Sequence, residues 1–340
     1  MRQELVAGID VAKATLEVAL YRRGDDRCLH GGRSFANDDK GRQALSTYLA
    51  HWAQRVQAQT TAVYLEATGV YSELLCYHLN QRPGLSVHVV PPGRMHHYLQ
   101  AVRQLGKTDR LDAQGIGRFG AHHDWPVWQP PALPLVELRQ LVHRLDELQH
   151  YQQQEYNRQH ADQYRQLCQA EVTDSRQRLL AWLEAEIAQV ETAIRQLPRR
   201  QPTLGRQLAL LLSIPGVGPK VAPVLLAEVA VHSELSVEAL VAQVGLAPRP
   251  WESGSSVKGR PHIAPSRGRL ARRMLYMASL VGIRHNPILR AFYERLLAKG
   301  KPKKLALAAC MRKLVHMVYG ILKHQQPFRA NVPLGLSNVA

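Results

Sequence analysis

The chain has 340 residues, 45% of them hydrophobic and 21% charged, and a formal net charge of +17. The hydrophobic content excludes an intrinsically disordered chain, and the length allows two or three domains with separate cores. The positive excess points to a polyanionic partner, nucleic acid before an acidic membrane. It is concentrated: residues 249–330 hold 18 lysines and arginines against only Glu252 and Glu294, which is +16 of the +17.

Residues 4–10 read as a buried strand ending in an acid, and 15–22 alternate as its hairpin partner. Residues 61–66 are another short apolar strand ending in an acid, followed by a helical pattern over 72–79. Residues 85–90 are a further strand, closed by Pro91-Pro92-Gly93, with helices near 96–105 and 108–121. This order predicts an α/β domain with a mixed sheet over 1–128. A Pro-rich break at 125–134 ends it.

A helical domain is predicted over 129–202. Leu135, Leu138, Val142, Leu145 and Leu148 are spaced at three and four, and a Gln-rich stretch continues the helix over 149–170. A second helix carries Leu180, Leu183, Ile187, Val190, Ile194 and Leu197 as a heptad seam ended by Pro198. The seam serves either a helical hairpin within one chain or self-association through a coiled coil.

The third domain, 203–340, reads as mainly α-helical. Residues 211–220, followed by 221–230, have the pattern of a helix-hairpin-helix. Its Gly216-Val-Gly218 turn would offer backbone N–H groups to a DNA phosphate, with Lys220 beside them; the competing reading is a plain corner inside a core. Further helices are predicted at 236–244, 266–284, 287–298 and 303–324. Cys28, Cys76, Cys168 and Cys310 have no CxxC spacing and read as reduced thiols rather than a zinc site. With no signal-like N-terminus and no long apolar run, the expected location is the cytoplasm.

Asp10 and Glu66 each end an apolar strand, where polar groups of an α/β sheet emerge together. Asp109 and Asp112 are i and i+3 on a predicted helix and share a face. Four converging carboxylates repel one another unless cations bridge them, and Mg²⁺ takes such oxygens while leaving positions for phosphate. The adjacent pairs His96-His97 and His122-His123 do not share a direction and read as surface or phosphate contacts.

Between Arg249 and Arg260 three serines, Ser253, Ser255 and Ser256, surround one glycine. Glu252, Lys258 and Arg260 flank them, and Arg267, Arg272 and Arg273 follow. A serine hydroxyl needs help to lose its proton, and arginines neutralise charge on a phosphorane. No GxSxG elbow or Ser-His-Asp spacing supports acyl chemistry. Taken alone, the loop fits a phosphate-binding turn as well as a nucleophile.

These segments together resemble the DEDD transposases of bacterial insertion sequences, the IS one-ten family with its Piv/MooV DNA invertases. The resemblance lies in Gly8-Ile-Asp-Val-Ala-Lys13, Leu65-Glu-Ala-Thr-Gly69, Lys107-Thr-Asp-Arg-Leu-Asp-Ala113, Ser213-Ile-Pro-Gly-Val-Gly218, Gly245-Leu-Ala-Pro248, Glu252-Ser-Gly-Ser-Ser256 and Met311-Arg-Lys-Leu-Val315, in the family's order. It implies an α/β RuvC-like (ribonuclease H-like) N-terminal domain, a coiled-coil insert and a mainly helical transposase domain. It places the Mg²⁺-binding DEDD tetrad on Asp10, Glu66, Asp109 and Asp112, and the nucleophile on Ser253, with Ser255 and Ser256 as DNA contacts. It further implies a tetramer guided by an element-encoded bridge RNA that pairs with donor and target DNA. The expected activity is strand cutting and rejoining through a phosphoserine. The alternatives are a RuvC-like metal-dependent nuclease without a covalent intermediate and a non-catalytic nucleic-acid scaffold.

Overall fold

In the computed structural model, which describes residues 4–102, 108–230, 235–253, 257–263 and 268–330, the first strand, β1 (Glu4–Val11), is buried along almost its whole length. A strand covered on both faces needs apolar residues at every position, which is why its sequence does not alternate. Leu5, Ala7, Ile9 and Val11 enter one core and Val6 the other. β2 (Thr15–Arg22) returns antiparallel, pairing Leu5 with Arg22 and Val11 with Leu16. β3 (His30–Ala36) extends that edge, while β4 (Thr60–Glu66) and β5 (Leu85–Val90) run parallel to β1 on its other side. The sheet order is β3-β2-β1-β4-β5.

Helices α1 (Asp39–Arg55) and α2 (Val70–Asn80) cover one face, where Leu45, Leu49, Leu75 and Leu79 are fully buried. Helices α3 (Pro92–Val102) and α4 (Asp109–His122) cover the other, with Met95, Leu99, Ile116 and Phe119. This is one compact unit, Met1–Pro130. Pattern alone assigns nothing to 23–60, yet β3 and α1 lie there. β3 is an edge strand with Gly31-Gly32 and little burial, so it lacks apolar alternation. α1 does carry its signals: Asp38 caps it, accepting from the Gly41 N–H at 2.7 Å, and Leu45, Tyr48, Leu49 and Trp52 fall at helical spacing.

The second unit, Pro131–Ala340, begins with two long helices packed along each other, α5 (Leu133–Asp162) and α6 (Ala170–Arg200). Leu180, Leu183, Ile194 and Leu197 of the heptad seam are buried, as are Leu135, Leu138, Val142 and Leu148 of α5. The seam is filled within the chain. At the far end Arg176 ion-pairs with Glu155 at 3.2 Å and Asp162 at 2.9 Å. α6 does not stop at Pro198: that residue sits in its last turn.

Helices α7 (Pro202–Leu212), α8 (Ala222–Val229), α9 (Val237–Gln243), α10 (Arg269–His285), α11 (Pro287–Ala298) and α12 (Lys303–His324) share one core with the base of α5 and α6. Among the described residues only α12 is long and apolar enough to cross a bilayer, and half of that stretch is buried in this core, which accounts for its composition. Within and beside the stretch Arg249–Arg260, expected as a loop, β6 (Pro248–Ser253) and β7 (Val257–Ile263) pair antiparallel.

Candidate active site

Strand alternation decides where Asp10 and Glu66 point. On β1 the even-numbered Val6 enters the core under α4, and on β4 so do Ala62 and Tyr64. Asp10 and Glu66 continue those rows, so both project toward α4 from neighbouring parallel strands that align Ile9 with Leu65. α4 supplies Asp109 and Asp112 from its first turn. Thr108 caps that turn, its hydroxyl accepting from the Leu111 N–H at 3.2 Å. The exposed amide dipoles there favour both acids. Asp112 is buried.

The helix reaches the strands so closely because Gly8 has no side chain. A Cβ at Gly8 would meet the Gly117 nitrogen at 2.0 Å and the Ala113 carbonyl oxygen at 2.4 Å. Gly117 and Gly120 in turn lie against the rings of Tyr21 and Tyr64. The small residues of α4, read in the sequence only as helix, are what bring the DxxD pair to the sheet.

Electrostatics report the convergence. Burial, then Asp112, Asp109 and Glu66 in that order, push the Asp10 carboxyl up to about 6. The charged neighbours that set its titration are all acids. Arg110, between the two aspartates in sequence, is turned to β3, where its Nε donates to the Gly31 carbonyl at 2.8 Å. Among the described residues no three acids, imidazoles or thiols converge as tightly as metal ligands do. The donors are nonetheless of the right class for a hard divalent cation: carboxylate oxygens that repel one another.

Sequence reasoning missed Asn37. Its Nδ2 donates to the Ala12 carbonyl at 3.0 Å and the Tyr71 carbonyl at 3.1 Å, tying the end of β1 to the first turn of α2. No periodicity marks such a residue; only its tertiary contacts do.

In the second unit Ser253 ends β6, opposite Val257, with Glu252 opposite Lys258 and Arg249 opposite His262. Arg260 is on β7. Ser255, Ser256 and Arg267 lie outside the described residues. Gly216 has φ +105° and backs onto α10, where a Cβ would meet the Ala278 oxygen at 2.7 Å, so it serves packing. Gly218 faces open space. Lys220 is exposed and 3.5 Å from Glu191 of α6. Arg272 donates to the Val244 carbonyl at 3.3 Å, and Arg273 ion-pairs with Asp146 of α5. Exposed Arg269, Arg284, Lys303 and Lys304 add cations that the sequence did not single out individually.

A DEDD-type IS110 profile, described as "Transposase", matches residues 7–164, and "Transposase IS116/IS110/IS902 family" matches 208–294. The chain is 30% identical to a "Pilin gene-inverting protein" of Moraxella bovis over 324 residues, covering 94% of this chain and 96% of that protein. It is 29% identical over 132 residues to an "Insertion element IS110 uncharacterized 43.6 kDa protein" of Streptomyces coelicolor, covering 38% and 32%. Among solved structures, Thermus thermophilus RuvC in complex with a Holliday junction substrate matches 34% of this chain and 90% of that one, at 16% identity and a TM-score of 0.26. A superposition that loose says nothing about the site.

Proposed function

Because this chain belongs to the Transposase IS116/IS110/IS902 family and is a DNA transposase or recombinase, we propose that it cuts and rejoins DNA through a phosphoserine at Ser253, with Asp10, Glu66, Asp109 and Asp112 as the ligands of Mg²⁺. The observation that carries the metal half is that Asp10 and Glu66 project from neighbouring strands toward the first turn of α4 with Asp109 and Asp112, the Asp10 carboxyl being pushed up to about 6 by burial and then by the other three acids. Such a cluster is relieved by a divalent cation, which when bound would neutralise charge on the phosphate oxygens.

The residues of the chain do the rest. The Ser253 hydroxyl loses its proton and its oxygen forms a bond to phosphorus; the P–O3′ bond breaks, and the leaving 3′-oxygen takes up a proton. The 3′-hydroxyl of the second DNA then attacks the phosphoserine, and serine leaves as the free hydroxyl. One P–O bond is made and one broken at each step, so no energy source is needed. Cations around the β6–β7 hairpin and on α10 and α12 hold phosphates without reading bases. That suits a protein whose sequence choice is delegated to a bridge RNA, as in other RNA-guided systems. The exposed Leu179 and Trp182 of α6 are where copies of the chain would meet in a tetramer.

The test is a denaturing gel of nicked DNA. Wild-type protein is expected to give a Mg²⁺-dependent covalent adduct and Ser253→Ala none; an adduct that persists in the variant overturns the assignment. A second reading, a metal-dependent nuclease using water, is favoured by all four acids lying in one unit. It gives cleavage with no adduct.

A further inference from the structure

Beside the carboxylates, α2 opens with three large apolar side chains in water. Val70 is 73% exposed, Tyr71 45% and Leu74 62%. Val70 and Leu74 are i and i+4, so they share a face with Tyr71 alongside. A contiguous exposed patch of this kind marks a contact surface, whereas single exposed apolar residues are ordinary. Between Ala67 and Gln81 there is no lysine or arginine, and Glu73 is also exposed. Apart from the backbone amides of the helix's first turn, the patch carries no cation for a phosphate, and Glu73 opposes one.

Its position is fixed relative to the site. Glu66 ends β4 only four residues before Val70, and the Asn37 bridge holds the Tyr71 carbonyl to that of Ala12, two residues beyond Asp10. The Asn37 amide is held in turn by Arg42, whose Nη1 donates to Asn37 Oδ1 at 3.3 Å. The Thr68 hydroxyl, between Glu66 and the patch, is buried and has no hydrogen-bond partner among the described residues.

We propose that Val70, Tyr71 and Leu74 form a step that takes the face of an unstacked base from the DNA strand whose phosphate the carboxylates engage. This rests on the DNA-cutting function proposed above. A strand led past Asp10 and Glu66 runs next to α2, and the part of DNA that matches an apolar, aromatic surface is the face of a base. In an intact duplex those faces are stacked, so the step engages a strand that strand exchange has opened. Every base has a π-face, so the contact is tolerant of sequence.

The experiment uses the full-length protein and a labelled oligodeoxynucleotide, single-stranded or annealed to its complement, with anisotropy as readout. Tyr71→Ala is expected to weaken single-strand binding about tenfold, the loss of one stacked base, and duplex binding less than about twofold. Tyr71→Phe keeps both affinities. Equal losses on both DNAs, no loss on the single strand, or failure of Phe to restore it overturns the proposal. So does sedimentation showing that Tyr71→Ala separates copies of the chain, since the patch would then be covered by a second copy. The Ser253 adduct is read independently: an adduct with no single-strand selectivity overturns the step alone, and selectivity without an adduct overturns the phosphoserine alone.

Discussion

Asp10 is held where its charge is least welcome, half-buried and facing three other acids. Its folded-state value near 6 lies above the ordinary 3.8, so the folded chain keeps a proton that the unfolded chain releases. The stability this contributes is full below about 4 and is lost as pH rises through 6. In metal-free protein the melting temperature of wild type should therefore fall more steeply across that window than that of Asp10→Asn, measured by scanning calorimetry at several pH values. Parallel curves would show that Asp10 carries no such burden. At neutral pH, Mg²⁺ should raise the melting temperature of wild type and do little for Asp10→Asn, because a ligand that binds only the folded state stabilises it by mass action. Gly8 acts by absence: Gly8→Ala puts a methyl group 2.0 Å from the Gly117 nitrogen, forcing α4 off the sheet. A cost of ~1–3 kcal/mol in denaturant unfolding is expected, together with loss of the Mg²⁺ response.

At the level of elements, capping and ion pairing fix what periodicity outlines. α11 starts at Asn286, fully buried, whose Oδ1 accepts from the Ile288 and Leu289 N–H groups at 3.1 and 3.2 Å. Asn286→Ala should cost ~1–2 kcal/mol, and Asn286→Ser should recover part of it, measured by urea unfolding. The far end of the α5–α6 pair depends on Arg176 between Glu155 and Asp162, with little apolar burial around it. Arg176→Met removes the cation that α6 supplies to them, leaving Glu155 and Asp162 with the exposed Arg158 and Arg165 nearby in sequence. Hydrogen exchange should then speed up in 155–176 while the core shared by α7 to α12 stays protected. Uniform protection would mean the ion pairs hold nothing together.

For the whole molecule, the charge is the dominant property. With +16 of +17 in residues 249–330, affinity for arbitrary duplex DNA should fall steeply with salt, as counterions are released from each neutralised phosphate. Reversing Arg269, Arg284, Lys303 and Lys304 together should flatten that slope in a filter-binding titration; an unchanged slope would place the contact elsewhere. If sequence choice lies in a guide, RNA that purifies with the protein should be one defined species, whereas purely electrostatic binding would carry heterogeneous fragments.

Much of this was legible in the sequence. The strands that carry Asp10 and Glu66, the helix that carries Asp109 and Asp112, and the long helical pair announce themselves by local pattern. So does the basic last third, because burial and charge act residue by residue. Tertiary structure decided what depends on residues far apart in the chain. It paired the edge strand β3 despite its weak pattern and used the heptad seam within one chain. It paired β6 with β7, spent Gly216 on packing against α10 and engaged Lys220, Arg272 and Arg273 with partners inside their own unit. Above all it seated α4 on a glycine of β1, and no local spacing foretells that contact because its energy arises only when the two elements meet.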